Sequence, residues 1–187
     1  LKKVGITDSK AYEDLRNESA EFISSLPFDG IGIGGSLGDT KQDMYQILDW
    51  LKDKMPQDAP KHLLGIGDLE GIIEAVKRGV DLFDCVAPTR EARNGRLYTK
   101  NGFLNIDNAK YKNDLGPVEE GCGCYACLNH SKSYLNHLFK EKLMNAGNLA
   151  SIHNIYFMNN FFKELRENID NKSFEKWSNS YLKNFKK

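Results

Sequence analysis

From Val4 to Asp84, short apolar runs alternate with longer stretches in which apolar residues recur at helical spacing. Val4-Gly5-Ile6, Gly30 to Gly34, His62 to Ile66 and Val80 to Asp84 read as strands. The first helix has Ser9 as its candidate N-cap and Leu15, Ala20, Phe22, Ile23 and Leu26 as its apolar positions. Asp39 or Thr40 caps the second, whose stripe is Met44, Ile47, Leu48 and Leu51 and whose end is marked by Pro56. Leu69, Ile72, Ile73 and Val76 form the third helical face. Nearly all-apolar strands separated by helices predict a parallel sheet covered on both faces, hence an α/β fold. Four β/α units are half of a (β/α)8 barrel, and a closed barrel takes about 250 residues. The 187-residue chain is therefore expected to hold half of a TIM-like barrel, with a small doubly wound sheet as the alternative. Because the chain opens directly on a strand, further polypeptide is expected to precede it.

After Arg93 the pattern changes. Arg96-Leu97-Tyr98-Thr99 and Phe103-Leu104-Asn105-Ile106 flank Lys100-Asn101-Gly102, a hairpin signal because Asn-Gly accepts the positive φ of a tight turn. From Ser131 onward three helical patterns follow: Tyr134, Leu135, Leu138 and Leu143; then Leu149, Ile152, Ile155, Tyr156 and Phe162; then Phe174, Trp177, Tyr181 and Phe185. We divide the chain into residues 1–115, the barrel half with a hairpin insertion, and residues 116–187, a cysteine-bearing subdomain with C-terminal helices.

Composition adds little until it is divided along the chain. The formal net charge is zero, which argues against a nucleic-acid partner, yet Ser131 to Lys187 holds ten Lys and Arg against five Asp and Glu. That basic segment is available for phosphates. No apolar run reaches the roughly 18 residues of a membrane span, and nothing at the start reads as a signal peptide. A cytoplasmic protein is expected.

Cys122, Cys124 and Cys127 fall too close together for a disulfide framework and read as metal ligands. A tetrahedral zinc needs a fourth ligand, and His153 supplies it, with His130 and His137 as rivals. Four protein ligands leave no open position, so such a zinc is structural, one per chain. Asp84, at the end of the fourth strand and flanked by Phe83 and Cys85, is expected to be partly desolvated. It is either a nucleophile or a helix cap. Arg90 and Arg93 are candidate phosphate ligands, or else a surface pair with Glu91. Gly34-Gly35-Ser36-Leu37-Gly38 does not match a dinucleotide fingerprint in register; glycines at a strand end instead allow a flat ligand to approach the backbone.

Phe83-Asp84-Cys85-Val86-Ala87-Pro88-Thr89-Arg90-Glu91-Ala92-Arg93-Asn94-Gly95 resembles the FDCVxPTRxxRNG signature of tRNA-guanine transglycosylases, the queuine tRNA-ribosyltransferase family. Phe28-Asp29-Gly30, His62 to Gly67 and the C-x-C-x-x-C with a distant His-Asn are similar too, so the likeness runs from Val4 to about Leu165. The resemblance implies the C-terminal half of that enzyme. Asp84 would form a covalent ribosyl intermediate while guanine at the wobble position of a tRNA with a GUN anticodon is exchanged for a 7-deazaguanine base. It further implies base contacts from Gly34, Gly35 and Leu64, tRNA phosphates on Arg90 and Arg93, and zinc on Cys122, Cys124, Cys127 and His153. The expected partner is a second copy or the N-terminal half, which carries a second catalytic aspartate. Two departures stand out. Asp8 replaces the family's base-reading glutamine, an acceptor in place of a group that also donates, and the Gly34 loop is one residue shorter. The competing reading is a non-catalytic paralogue that binds tRNA or dimerises.

Overall fold

The computed structural model describes residues 3–7 and 12–185. Asp8 and Ser9 lie outside the described residues. The chain divides into two compact units, Leu1–Cys85 and Val86–Lys187.

In the first unit β1 (Val4–Thr7), β2 (Gly30–Ile33), β3 (Lys61–Leu63) and β4 (Leu82–Phe83) form one parallel sheet in the order β1-β2-β3-β4. The order never reverses, as it would in a doubly wound sheet. The connections carry α1 (Glu13–Ser24), α2 (Lys41–Leu51) and α3 (Leu69–Lys77). Thr40, rather than Asp39, caps α2: its hydroxyl accepts from Asp43 N–H, and the Asp43 carboxylate accepts from Thr40 N–H at 2.9 Å. Met44, Ile47, Leu48 and Leu51 are buried as expected, each contributing roughly 1.5–3 kcal/mol of apolar burial. Asp68 caps α3, whose buried face is Leu69, Ile72, Ile73 and Ala75.

Three expectations need correction. The sheet is covered on one face only: Val4, Ile6 and Leu82 are more than half exposed, whereas Gly5 and Thr7, pointing the other way, are buried. In α1, Leu15 and Phe22 face outward, Leu26 is exposed beyond the helix end, and the buried residues of the helix are Arg16 and Ala20. The β4 ladder is shorter than the apolar run, because Val80 joins the core and the Asp81 carboxylate accepts from Lys61 N–H at 2.8 Å.

The second unit opens with α4 (Ala87–Arg93) and the antiparallel hairpin β5 (Arg96–Thr99) and β6 (Gly102–Asn105). Gly102 alone takes the positive φ, 114°, that closes its turn. A 3₁₀ turn (Ala109–Tyr111) and α5 (Tyr125–Asn129) lead to α6 (Lys132–Lys140), α7 (Met144–Asp170) and α8 (Phe174–Phe185). The buried stripe of α7 is Ala146, Leu149, Ala150, His153, Asn154, Phe157, Met158, Phe161 and Leu165. Ile152 and Ile155, expected inside, are exposed, because His153 and Asn154 take the inward face and satisfy their polar atoms there. Phe161, Trp177 and Tyr181 pack ring against ring and hold α8 on α7. Among the described residues no helix is long and apolar enough to cross a membrane.

Candidate metal centre and candidate active site

Two of the expected constellations assemble within single units, and the metal centre is the more complete. Cys122 and Cys124 lie on the loop before α5, and Cys124 caps that helix by accepting from Cys127 N–H at 3.3 Å. The cap fixes the C-x-x-C turn so that both sulfurs face α7. There His153, fully buried, places Nδ1 3.8, 3.5 and 3.4 Å from the Cys122, Cys124 and Cys127 sulfurs. All four ligand atoms lie within 4.8 Å of one another. Zn–S bonds of about 2.3 Å and Zn–N bonds of about 2.0–2.1 Å in a tetrahedron require S···N separations of about 3.6 Å, so the donor set fits zinc. His153 Nε2 donates to the Tyr98 carbonyl at 2.8 Å, which leaves Nδ1 unprotonated and free to ligate. His130 and His137, the rival ligands, are not in the cluster.

The thiol electrostatics point the same way. A hydrogen bond from the Cys127 thiol lowers Cys124 to about 3. Its bond to that thiolate pushes Cys127 up, and burial raises Cys122. Three thiolates in this space would repel one another, and a divalent cation at their centre would allow all three to ionise.

Next to His153, buried Asn154 donates to the Pro88 and Arg96 carbonyls at 2.9 and 3.0 Å and accepts from Tyr98 N–H at 3.0 Å. One dipeptide of α7 thereby ties the metal centre to the hairpin and to the start of α4. In the last turn of α4, Arg90 and Arg93 are exposed, three residues apart and so on one face. Glu91, their alternative partner, pairs at 3.5 Å with Arg96 instead.

In the first unit Asp84 follows β4 at the C-terminal edge of the sheet. Its carboxylate is 60% exposed, which corrects the expected desolvation. Oδ1 lies 3.3 Å from Gly65 N–H and 3.1 Å from His62 Nε2. His62 aligns with Leu82 in the β3–β4 register, and two residues along a strand return to the same face. His62, Leu64 and Asp84 thus share the uncovered face. A Cβ on Gly34 would come within 3.2 Å of Leu64 and 3.3 Å of Ile6, so glycine is what lets these strand ends close up. Gly35 has a φ of 73° and turns the backbone out of β2.

Sequence reasoning missed two residues here. His62 could have been found from strand parity once the register with Leu82 was known. Arg16 could not, because an arginine on an amphipathic helix reads as solvated. It is fully buried and donates to the carbonyls of Gly34, at 2.8 Å, and Ser36. The two cavities described lie in the second unit. The first, about 480 Å³, is lined among others by Cys122, Tyr156 and Tyr181, and Asp84 borders neither.

Comparison with known proteins places the chain in a family. A family model described as queuine tRNA-ribosyltransferase matches residues 3–187. The queuine tRNA-ribosyltransferase of Francisella tularensis subsp. novicida (strain U112) is 44% identical over 183 residues, 97% of this chain and 50% of that protein. The protein of the same name from Marinobacter nauticus (strain VT8) is 50% identical over 167 residues, 89% of this chain and 45% of that protein. The chain spans about half the length of the curated relatives it matches. With the match extending across both units, the chain belongs to the queuine tRNA-ribosyltransferase family.

Proposed function

We propose that this chain supplies the nucleophile-bearing C-terminal half of a tRNA-guanine transglycosylase. The observation that carries the reading is a carboxylate that accepts from the Gly65 N–H, with His62 Nε2 3.1 Å away, at the C-terminal edge of a parallel sheet, on a face left apolar and uncovered, in a chain of this family. A second set of four strands laid on that face would close a (β/α)8 barrel, bury Val4, Ile6 and Leu82 and supply the missing wall of a base pocket. Residues 1–115 then serve as the barrel half with its hairpin, and 116–187 as the zinc subdomain with its helices.

In the proposed reaction Asp84 attacks the ribose C1′ of the wobble guanosine, the C1′–N9 bond breaks, and guanine leaves with the bonding electron pair. Asp84 then holds the tRNA as a glycosyl ester. A 7-deazaguanine base attacks C1′ from the vacated side through its own ring nitrogen, loses that nitrogen's proton to water in exchange for the one the departed guanine took up, and regenerates the carboxylate. Splitting one substitution into two gives net retention, as in retaining glycosidases. Gly34 and Gly35 offer main-chain contacts to the base, Leu64 packs on its face, and Asp8 reads its edge as an acceptor. Arg90 and Arg93 hold tRNA phosphates. Cys122, Cys124, Cys127 and His153 would hold the zinc, which when bound supplies rigidity and no reacting group. The tRNA substrate and the thiol cluster suit a cytoplasmic enzyme working with an N-terminal half or as a homodimer.

Asp8, where the family carries glutamine, favours a second reading: a non-catalytic paralogue that binds tRNA or dimerises. The test combines this chain with the N-terminal barrel half, labelled guanine and a GUN-anticodon tRNA. The enzyme reading predicts label in tRNA with the wild type and none with Asp84→Asn. Retained tRNA binding with no exchange in either would establish the second reading.

A further inference from the structure

The two oxygens of Asp84 are in different surroundings. Both neighbouring donors, Gly65 N–H at 3.3 Å and His62 Nε2 at 3.1 Å, approach Oδ1. No hydrogen bond to Oδ2 is found among the described residues. His62 Nε2 is buried and has no in-line hydrogen-bond partner among the described residues, so Asp84 is the group within its reach. A ring nitrogen taken out of water costs about 1–3 kcal/mol unless it finds a partner. Its approach to Oδ1 is close in distance but not in line, the usual state of such contacts before substrate tightens them. The backbone constrains the pair further: His62 is held by the β3 ladder and the Gly65 amide belongs to the turn three residues on.

Building on the reading of Asp84 as nucleophile, we propose that His62 is a positioning residue that selects which carboxylate oxygen attacks. His62 Nε2–H and Gly65 N–H anchor Oδ1, and Oδ2 is presented to the ribose C1′. Oδ2 forms the new bond as C1′–N9 breaks and its electron pair leaves on guanine. The His62 proton stays on Nε2 throughout, and Oδ1 becomes the carbonyl oxygen of the ester. When the incoming base attacks C1′, the C1′–Oδ2 bond breaks and its electron pair returns to the carboxylate. The same two donors then receive the returning charge. His62 therefore acts in both half-reactions without exchanging a proton in either.

Two measurements separate this inference from the function on which it rests. The first uses this chain alone and reads the His62 ring by nitrogen-15 NMR. A hydrogen-bonded Nε2–H resonance that moves upfield in Asp84→Leu supports the pairing. A resonance identical in both overturns it, whatever the activity. The second uses the chain with the N-terminal barrel half and follows formation and resolution of the covalent tRNA adduct. His62→Leu is expected to slow both steps by up to about 100-fold, the cost of misplacing a reacting group, with the KM for tRNA unchanged. His62→Gln, whose amide can donate from the same side, is expected to recover most of the loss. Equal rates in wild type and His62→Leu, or equal loss in Leu and Gln variants, overturn the positioning role while leaving the transglycosylase reading intact. Absence of any wild-type adduct removes that reading and this inference with it.

Discussion

Asn154 offers the sharpest test of how the second unit is held together. Asn154→Ala deletes two donations, to Pro88 O and Arg96 O, and one acceptance, from Tyr98 N–H, all at 2.9–3.0 Å around a fully buried side chain. Each such bond is worth about 0.5–1.5 kcal/mol net, and a buried group left without a partner costs about 1–3 kcal/mol. With the small cavity added, the expected loss is about 3–5 kcal/mol. The chain has two tryptophans, Trp50 in the first unit and Trp177 in the second, so a Trp50→Phe background makes Trp177 fluorescence the reporter of second-unit unfolding in urea. Asn159→Ala, at an exposed position of the same helix, is the control and should stay within about 0.5 kcal/mol of its parent. Metal content is measured alongside, because His153 is adjacent and its loss would mimic the effect. A fall of less than about 1 kcal/mol at unchanged metal content would refute the claim that Asn154 ties the hairpin and α4 to α7.

Other consequences follow from the metal centre, the acid-sensitive carboxylates and the arginine face. Cys124→Ser should take bound zinc from one per chain to none by elemental analysis and lower the second unit's urea midpoint; a metal-free wild type with an unchanged midpoint would contradict the site. In the first unit, the Thr40 backbone N–H holds Asp43 below the usual carboxylate range, and Lys77 and Arg78 do the same for Glu74 against the opposing effect of burial. Folding therefore releases protons from these groups. Their stabilisation is present above the unfolded value near 4 and fades as pH falls through the lower folded values. Trp50 fluorescence in a Trp177→Phe background should show a lower urea midpoint at pH 3 than at pH 7, and an equal or higher one would refute the assignment. Replacing Arg90 and Arg93 together by Ala should weaken tRNA binding and reduce the slope of log affinity against log salt by about 1.4; an unaltered slope would remove them from the phosphate contacts.

The sequence made some of this legible and left other parts out of reach, for physical reasons. The α2 and α3 faces were readable because their apolar periodicity largely coincides with burial, and the four strands because short apolar runs between helical stretches mark them whichever face is covered. The cysteine cluster was readable because thiols at that spacing have few other uses in a reduced protein. In α7 apolarity and burial part company: His153 and Asn154 lie inside because each finds partners there, and Ile152 and Ile155 face out. Hydrophobic pattern alone cannot report a polar side chain whose partners lie more than fifty residues away. The apolarity of Val4, Ile6 and Leu82 was taken to mean a covered sheet, whereas in this chain their face is open. His62 and Arg16 escaped because one needs a strand register and the other a view of which carbonyls a buried guanidinium meets.

The claim on which the functional reading turns is that Asp84 carries the tRNA. Quenching the combined halves during turnover, digesting the adduct with nuclease and protease, and sequencing the modified peptide by mass spectrometry tests it directly. The account predicts a ribonucleotide mass on the peptide containing Phe83-Asp84-Cys85, assigned to Asp84 and absent from Asp84→Asn. A ribonucleotide on any other residue, or turnover that survives Asp84→Asn, would contradict it.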